Sequence, residues 1–249
     1  MSKTRQTQAT AAMLAIGDEL LSGRTKDKNI GHFAEVMTLS GIDLKEVRIV
    51  ADEEDAIVEA INALRARYDF VVTSGGIGPT HDDITADAVG TAFGLEVTEH
   101  PEAVELLETY YAGRDLDFTP ARRRMTRTPV GATLIPNAVS KAPGFSVENV
   151  HVMAGVPNVF QAMLDALLPT LPAGAPLISK AIPCPYGEGD IGDPLRDIAK
   201  RHDGVSIGSY PRFAEGRYST EIIIRSRDEA AIEAAATEVE AMLDSLASR

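Results

Sequence analysis

Thiols and positive charge are scarce in this chain, and long apolar runs are missing altogether. One cysteine, Cys184, stands among 249 residues. Intramolecular disulfides and zinc sites built on several thiolates are therefore excluded, and a reducing compartment is the simplest setting. Cytoplasmic location is the expectation. Lysine and arginine total 24 against 37 aspartates and glutamates, a formal net charge of −13. Nucleic-acid binding needs a positive field that such a chain lacks, so no nucleic-acid partner is expected. No stretch reaches the ~18 apolar residues of a membrane helix, and the polar Met1–Thr10 segment has no apolar signal core. No membrane partner is expected either. The 44% of residues that are hydrophobic suffice for a sizeable core, in one large domain or in one domain plus a small one.

The most informative stretch is Val71-Val72-Thr73-Ser74-Gly75-Gly76-Ile77-Gly78-Pro79-Thr80-His81-Asp82-Asp83-Ile84-Thr85. Asp69–Thr73 predicts a buried strand, and Thr85–Phe93 has helical spacing with Thr85 as its N-cap. The glycines thus fall between the end of a strand and the start of a helix, where open α/β sheets bind ligands. A second junction of the same kind, Gly17–Gly23 with Asp18 and Glu19, follows a strand at Ala11–Ile16. From Asp27, the residues Ile30, Phe33, Ala34 and Met37 keep helical spacing up to a cap at Gly41. Leu44–Val50 predicts a strand, and Asp52 caps a helix with an apolar stripe through Ile57, Ala60, Ile61 and Leu64. This β-α-β-α-β order predicts an α/β fold: a mainly parallel sheet with helices on both faces.

Further on, helices are expected at His100–Gly113 and Thr119–Thr126, a strand at Ala132–Ile135, a loop at Asn137–Gly144 and a hairpin at Phe145–Val147 and Val150–Ala154. A helix beginning at Pro157 closes the first domain, 1–171. Leu171–Pro176 has the composition of a linker. The second domain, 177–249, reads as a small α+β layer in the order β-α-β-β-α.

Gly75-Gly76-Ile77-Gly78 is neither a dinucleotide fingerprint nor a Walker A sequence. It offers backbone donors at Gly75, Gly76 and Gly78, the hydroxyls of Thr73, Ser74 and Thr80, and a helix N-terminus, a set suited to a phosphate or pyrophosphate. The bland alternative is a tight turn that needs positive φ. Asp82 and Asp83 would repel a phosphate unless a divalent cation lay between, and Mg²⁺ suits oxygen ligands. Asp18, Glu19 and Asp52, at other strand ends, could complete that shell; helix caps and solvated loop acids are the alternatives. Arg122, Arg123, Arg124 and Arg127 are either partners for a phosphate or, more in keeping with charge runs, a solvated face. Lys141 is a better single candidate for neutralising phosphate charge.

The glycine stretch, with Gly17-Asp18-Glu19-Leu20-Leu21-Ser22-Gly23 before it and Ala142-Pro143-Gly144-Phe145 and Gly155-Val156-Pro157 after it, resembles the molybdopterin-binding domain of the MoaB/Mog family. The variant most similar is the N-terminal part of CinA, the competence/damage-inducible proteins, and the corresponding half of eukaryotic FAD synthases is similar too. The resemblance implies a three-layer α/β/α domain with a pterin or adenine dinucleotide as small-molecule partner, molybdopterin included. In the Mog branch it implies adenylylation of molybdopterin. In the CinA-like branch it implies cleavage of nucleotide pyrophosphates such as ADP-ribose or FAD, dependent on Mg²⁺ or Co²⁺. By motif position, Asp52 and Asp83 match two acids important to catalysis, and Gly75–Thr80 matches the phosphate cradle. Asp82, Asp83, Asp18 and Glu19 are the expected metal ligands, and Ser74, Gly75, Gly76, Gly78, Thr80 and Lys141 the expected phosphate contacts. This sequence departs from the CinA-like pattern at His81, where Asp is usual, at Ser140-Lys141, where Gly-Thr is usual, and in the arginine-rich Ala121–Arg127, where an Asn and a Gln are usual. Full-length CinA proteins continue into a nicotinamide-nucleotide deamidase domain that these residues do not contain, so no deamidase activity is expected. Three readings stay open: a nucleotide pyrophosphatase, a molybdopterin-binding or adenylylating protein, and a non-catalytic pterin or nucleotide module. Relatives assemble, so a homo-oligomer is among the expected partners.

Overall fold

A computed structural model describes residues 8–214 and 217–247. Its first strand, β1 (Thr10–Ile16), explains the architecture. Ala11 through Leu14 are fully buried, and alternate side chains enter different cores. Ala11 and Met13 pack with Phe33, Met37, Val72 and Phe160, whereas Ala12 and Leu14 pack with Ile57, Ile61, Val71 and Val89. A strand apolar on both faces needs a layer of helices on each side. The three-layer α/β/α arrangement follows.

The chain continues through α1 (Asp18–Leu21), α2 (Asn29–Leu39), β2 (Asp43–Val50), α3 (Glu54–Arg65), β3 (Phe70–Ser74) and α4 (Thr85–Phe93). It then forms β4 (Val97–Glu99), α5 (Pro101–Ala112), α6 (Pro120–Arg124), β5 (Arg127–Pro129), β6 (Thr133–Ile135), β7 (Gly144–Val147), β8 (Val150–Met153) and α7 (Pro157–Leu167). The main sheet has the order β2-β1-β3-β8-β7-β6, with β2, β1, β3 and β8 parallel and β7 antiparallel to both its neighbours. The apolar stripe expected on α3 is buried at all four positions, and Gly41 ends α2 with a φ of 71°. Two capping expectations fail. Thr85 sits inside α4, fully buried, with its hydroxyl donating to the Gly75 carbonyl at 3.0 Å. Asp52 makes no cap bond to α3 and turns to the β1 end instead. A short ribbon, β4 paired with β5, lies outside the main sheet and was not anticipated.

The chain divides into two compact units at Gly174/Ala175. The second contains β9 (Ile178–Cys184), α8 (Glu188–Arg201), β10 (Ser206–Ala214), β11 (Arg217–Ser226) and α9 (Glu229–Ala247). Its antiparallel sheet, β10-β11-β9, buries Ile182, Ile222 and Ile224 against Ile191, Ile198, Ala235 and Val239. No helix among the described residues is long and apolar enough to cross a membrane.

Candidate functional site

Four parallel strands end on one side of the main sheet, and their loops enclose a cavity of about 600 Å³. The chain leaves β1 over one face through α2 and returns over the other through α3, so the site lies at the switch point between β1 and β3. Three glycines make the close packing there. Gly75 has a φ of +118°, and a Cβ on it would lie 2.2 Å from the Ile16 carbonyl oxygen; Gly155 packs against the Gly75 backbone. Gly76, with a φ of +67°, leaves room for the Thr85 hydroxyl.

The loop leaves backbone donors free. Gly75 N–H is spent on the Met153 carbonyl at 3.1 Å, but among the described residues the N–H groups of Gly76, Ile77 and Gly78 have no acceptor. All three residues line the cavity. Free, adjacent backbone donors are the chemistry that binds phosphate.

Glu19, Asp52, Asp82 and Asp83 also line the cavity. Asp18 and Asp52 are locked together reciprocally: Asp18 N–H donates to Asp52 Oδ2 at 2.9 Å, and Asp52 N–H to Asp18 Oδ1 at 3.4 Å. Burial pushes the Asp52 carboxyl above its ordinary range, with the negative charges of Asp18, Glu19 and Asp82 adding to it and the Asp18 N–H opposing. Asp83 accepts from Thr80 N–H at 2.8 Å and from the Thr80 hydroxyl. Among the described residues no three His, Cys, Asp or Glu side chains group closely enough to cage a metal. Asp18, Glu19, Asp82 and Asp83 therefore do not form one ready-made ligand set. The donors are nonetheless hard carboxylate oxygens, which fit Mg²⁺ held by one or two protein acids and completed by substrate phosphate oxygens.

Several expected contacts lie elsewhere. Thr73 and Ser74 are buried, and Ser74 Oγ accepts from Asn29 Nδ2 at 2.8 Å, so it braces β3 against α2 instead of facing the main cavity. Thr80 is exposed and spent on Asp83. Lys141 has a φ of 67° and is not a lining residue, although its neighbours Ser140 and Ala142 are. Asn137 shapes that loop by accepting from the N–H groups of Val139 and Ser140 and donating to the Ala142 carbonyl. Two of the four arginines are committed to the protein's own acids: Arg127 pairs in two-pronged fashion with Asp87, and Arg123 with Glu99 and Glu108, while Arg122 donates to the Asp117 carbonyl oxygen and lies over the Tyr111 ring. Met125, Val156, Val159 and Met163, none of them an expected ligand contact, supply an apolar wall that suits a flat ring. Only Val156, inside the Gly155-Val156-Pro157 motif, had a signal that could have pointed to it.

Residues 12–173 match the family model described as a probable molybdopterin binding domain, and residues 176–248 the one described as the middle domain of FAD synthase. A protein of Pyrobaculum aerophilum is 33% identical over 221 residues, covering 84% of this chain and 82% of that one. A CinA-like protein of Desulfosudis oleivorans is 32% identical over 82% of this chain, which spans 52% of that protein's length. Among solved structures, the CinA protein of Thermoplasma acidophilum, titled as of unknown function, superposes with a TM-score of 0.61 at 30% identity, covering 66% of this chain and 98% of that one.

Proposed function

The chain belongs to the family of probable molybdopterin-binding domains, in its CinA-like form, and from that premise we propose that it is a metal-dependent pyrophosphatase of nucleotide pyrophosphates such as ADP-ribose or FAD. One observation carries the reading: residues with three backbone N–H groups that have no acceptor among the described residues, and four carboxylate residues, line the same cavity, so an anion and a cation or proton can be handled together. The match of the second unit to a FAD synthase domain supports a dinucleotide over a free pterin.

The cradle at Gly76–Gly78 binds one phosphate of the anhydride and orients it. Asp52, made more basic by burial and by like charges, takes a proton from a water. The water oxygen forms a bond to phosphorus as the bridging P–O bond breaks, and AMP leaves together with the second monophosphate, ribose 5-phosphate or FMN. Asp82 and Asp83 would hold a divalent cation, which when bound offsets the charge developing on the phosphate oxygens. The apolar wall at Met125 and Val156 receives a ring.

Incubation with ADP-ribose, FAD and NAD plus Mg²⁺ or Co²⁺, with release of AMP followed, tests this. AMP is expected from at least one of the three, and Asp52→Asn and Asp83→Asn should each slow it by about 10²-fold or more while substrate still binds. No AMP from any of the three, with tight molybdopterin binding, would favour the cofactor-biosynthesis reading instead.

A further inference from the structure

Arg124 stands apart from the other arginines. It lies at the end of α6, its side chain 30% exposed, and reaches the loop before α4, where Nη2 donates to the Asp83 carbonyl oxygen at 3.1 Å. The obvious ionic partner is Asp87, yet Arg124 stays 3.8 Å from it because Arg127 already takes both Asp87 oxygens. Its Nε is buried and has no partner among the described residues. A guanidinium presents donors in a planar fork that matches a carboxylate, so a geometry that forgoes the two-pronged pair and leaves a buried donor unmet costs stability. Such unmet groups call for an explanation.

The explanation is on the other side of the contact. Asp83 turns its carboxylate towards the cavity and back to Thr80, and a Cβ on Gly78 would lie 2.7 Å from Asp83 Oδ2. The acid loop is tied to α4 and β3 by the bonds of Thr85 to Gly75 and Gly76. Arg124 adds a tie to Asp83 itself, and from a segment 41 residues distant. We propose that Arg124 is a positioning residue: by holding the Asp83 backbone it fixes where the Asp83 carboxylate stands relative to the cradle, without touching the substrate. This rests on the pyrophosphatase reading for its kinetic consequence but not for its structural one.

The test compares Arg124→Met, Arg124→Gln and Arg124→Lys with Arg123→Met, whose side chain pairs with Glu99 and Glu108, lies over the Phe118 ring and makes no bond to the acid loop among the described residues. With ADP-ribose and Mg²⁺, Arg124→Met is expected to lower kcat about 10-fold or more, with KM for ADP-ribose moving less than about 3-fold, and to raise the Mg²⁺ concentration needed for half activity. Arg124→Lys, whose ammonium can still donate to a carbonyl, should recover a large part of kcat, and Arg123→Met should match the parent. Amide hydrogen exchange of residues 78–84 is read in parallel and should quicken in Arg124→Met and not in Arg123→Met. If Arg124→Met does not fold, Arg124→Gln carries the same comparison. Equal kcat and equal exchange in the Arg124 and Arg123 variants would overturn the proposal. If the parent releases no AMP, the pyrophosphatase reading fails by itself, and the exchange pattern alone decides the role of Arg124.

Discussion

Gly75 carries two constraints at once, a φ of +118° and a backbone carbonyl 2.2 Å from where a Cβ would stand. Neither can relax without separating the ends of β1 and β3. Gly75→Ala is therefore expected to destabilise the fold by about 2 kcal/mol or more, read from urea unfolding, and to weaken binding of ADP-ribose in calorimetry. A variant with parental values in both would mean the loop is softer than its packing indicates. His151 makes a different kind of prediction. It is 9% exposed on β8, its Nδ1 lies 2.8 Å from Ser146 Oγ, and burial lowers its pKa from 6.5 to about 4. Below pH 6.5 the unfolded chain takes up this proton and the folded chain does not, so stability falls as the pH drops from about 6.5 towards 4. The loss amounts to about 3 kcal/mol by linkage. Unfolding free energies of the parent and His151→Gln should therefore converge across that window, and parallel curves would show that His151 titrates normally.

Element by element, the parallel core was legible because its signals are local and redundant. β1 is apolar from Ala11 to Ile16 and β3 from Phe70 to Val72, and the stripe on α3 needs one face only. The same holds for α7, where Phe160 meets Phe33 of α2 edge-on with ring centroids 6.5 Å apart and both are fully buried. Phe160→Ala should cost about 3–5 kcal/mol in thermal or urea unfolding, since α2 and α7 cannot both close on the gap; a loss under 1 kcal/mol would mean that they do. The site was half legible. Glycines after a strand and acids beside them announce a loop with a purpose, and Gly75, Gly76, Gly78, Asp52, Asp82, Asp83 and Glu19 do meet around one cavity. What spacing cannot show is which way a side chain turns. Ser74 follows the strand pleat into the Asn29 side of the sheet, and Thr85 satisfies the Gly75 carbonyl in place of capping its own helix. The three-residue ribbon of β4 and β5 is too short for any periodicity, and it brings the arginine segment to Asp83 and Asp87 from about 40 residues away.

At the scale of the whole chain, every proposed site residue falls within the first unit, which ends at Gly174. Under the proposed pyrophosphatase function the site has to attract a doubly charged anion despite a formal net charge of −13. The cradle does this locally, through backbone donors that carry no net charge and are not screened away once the phosphate is seated. The approach is another matter, because at distances beyond a few ångströms the substrate meets a negative field. Raising monovalent salt from roughly 10 to 150 mM shortens the screening length from about 30 to 8 Å and removes most of that repulsion. At fixed Mg²⁺, kcat/KM for ADP-ribose should therefore rise with salt while kcat stays level, since the seated complex does not feel the long-range field. Steady-state kinetics over a sodium chloride series measures both. A fall in kcat/KM would mean that the field at the cavity mouth is positive on balance, and that the arginines along Arg122–Arg127 outweigh the acids near them.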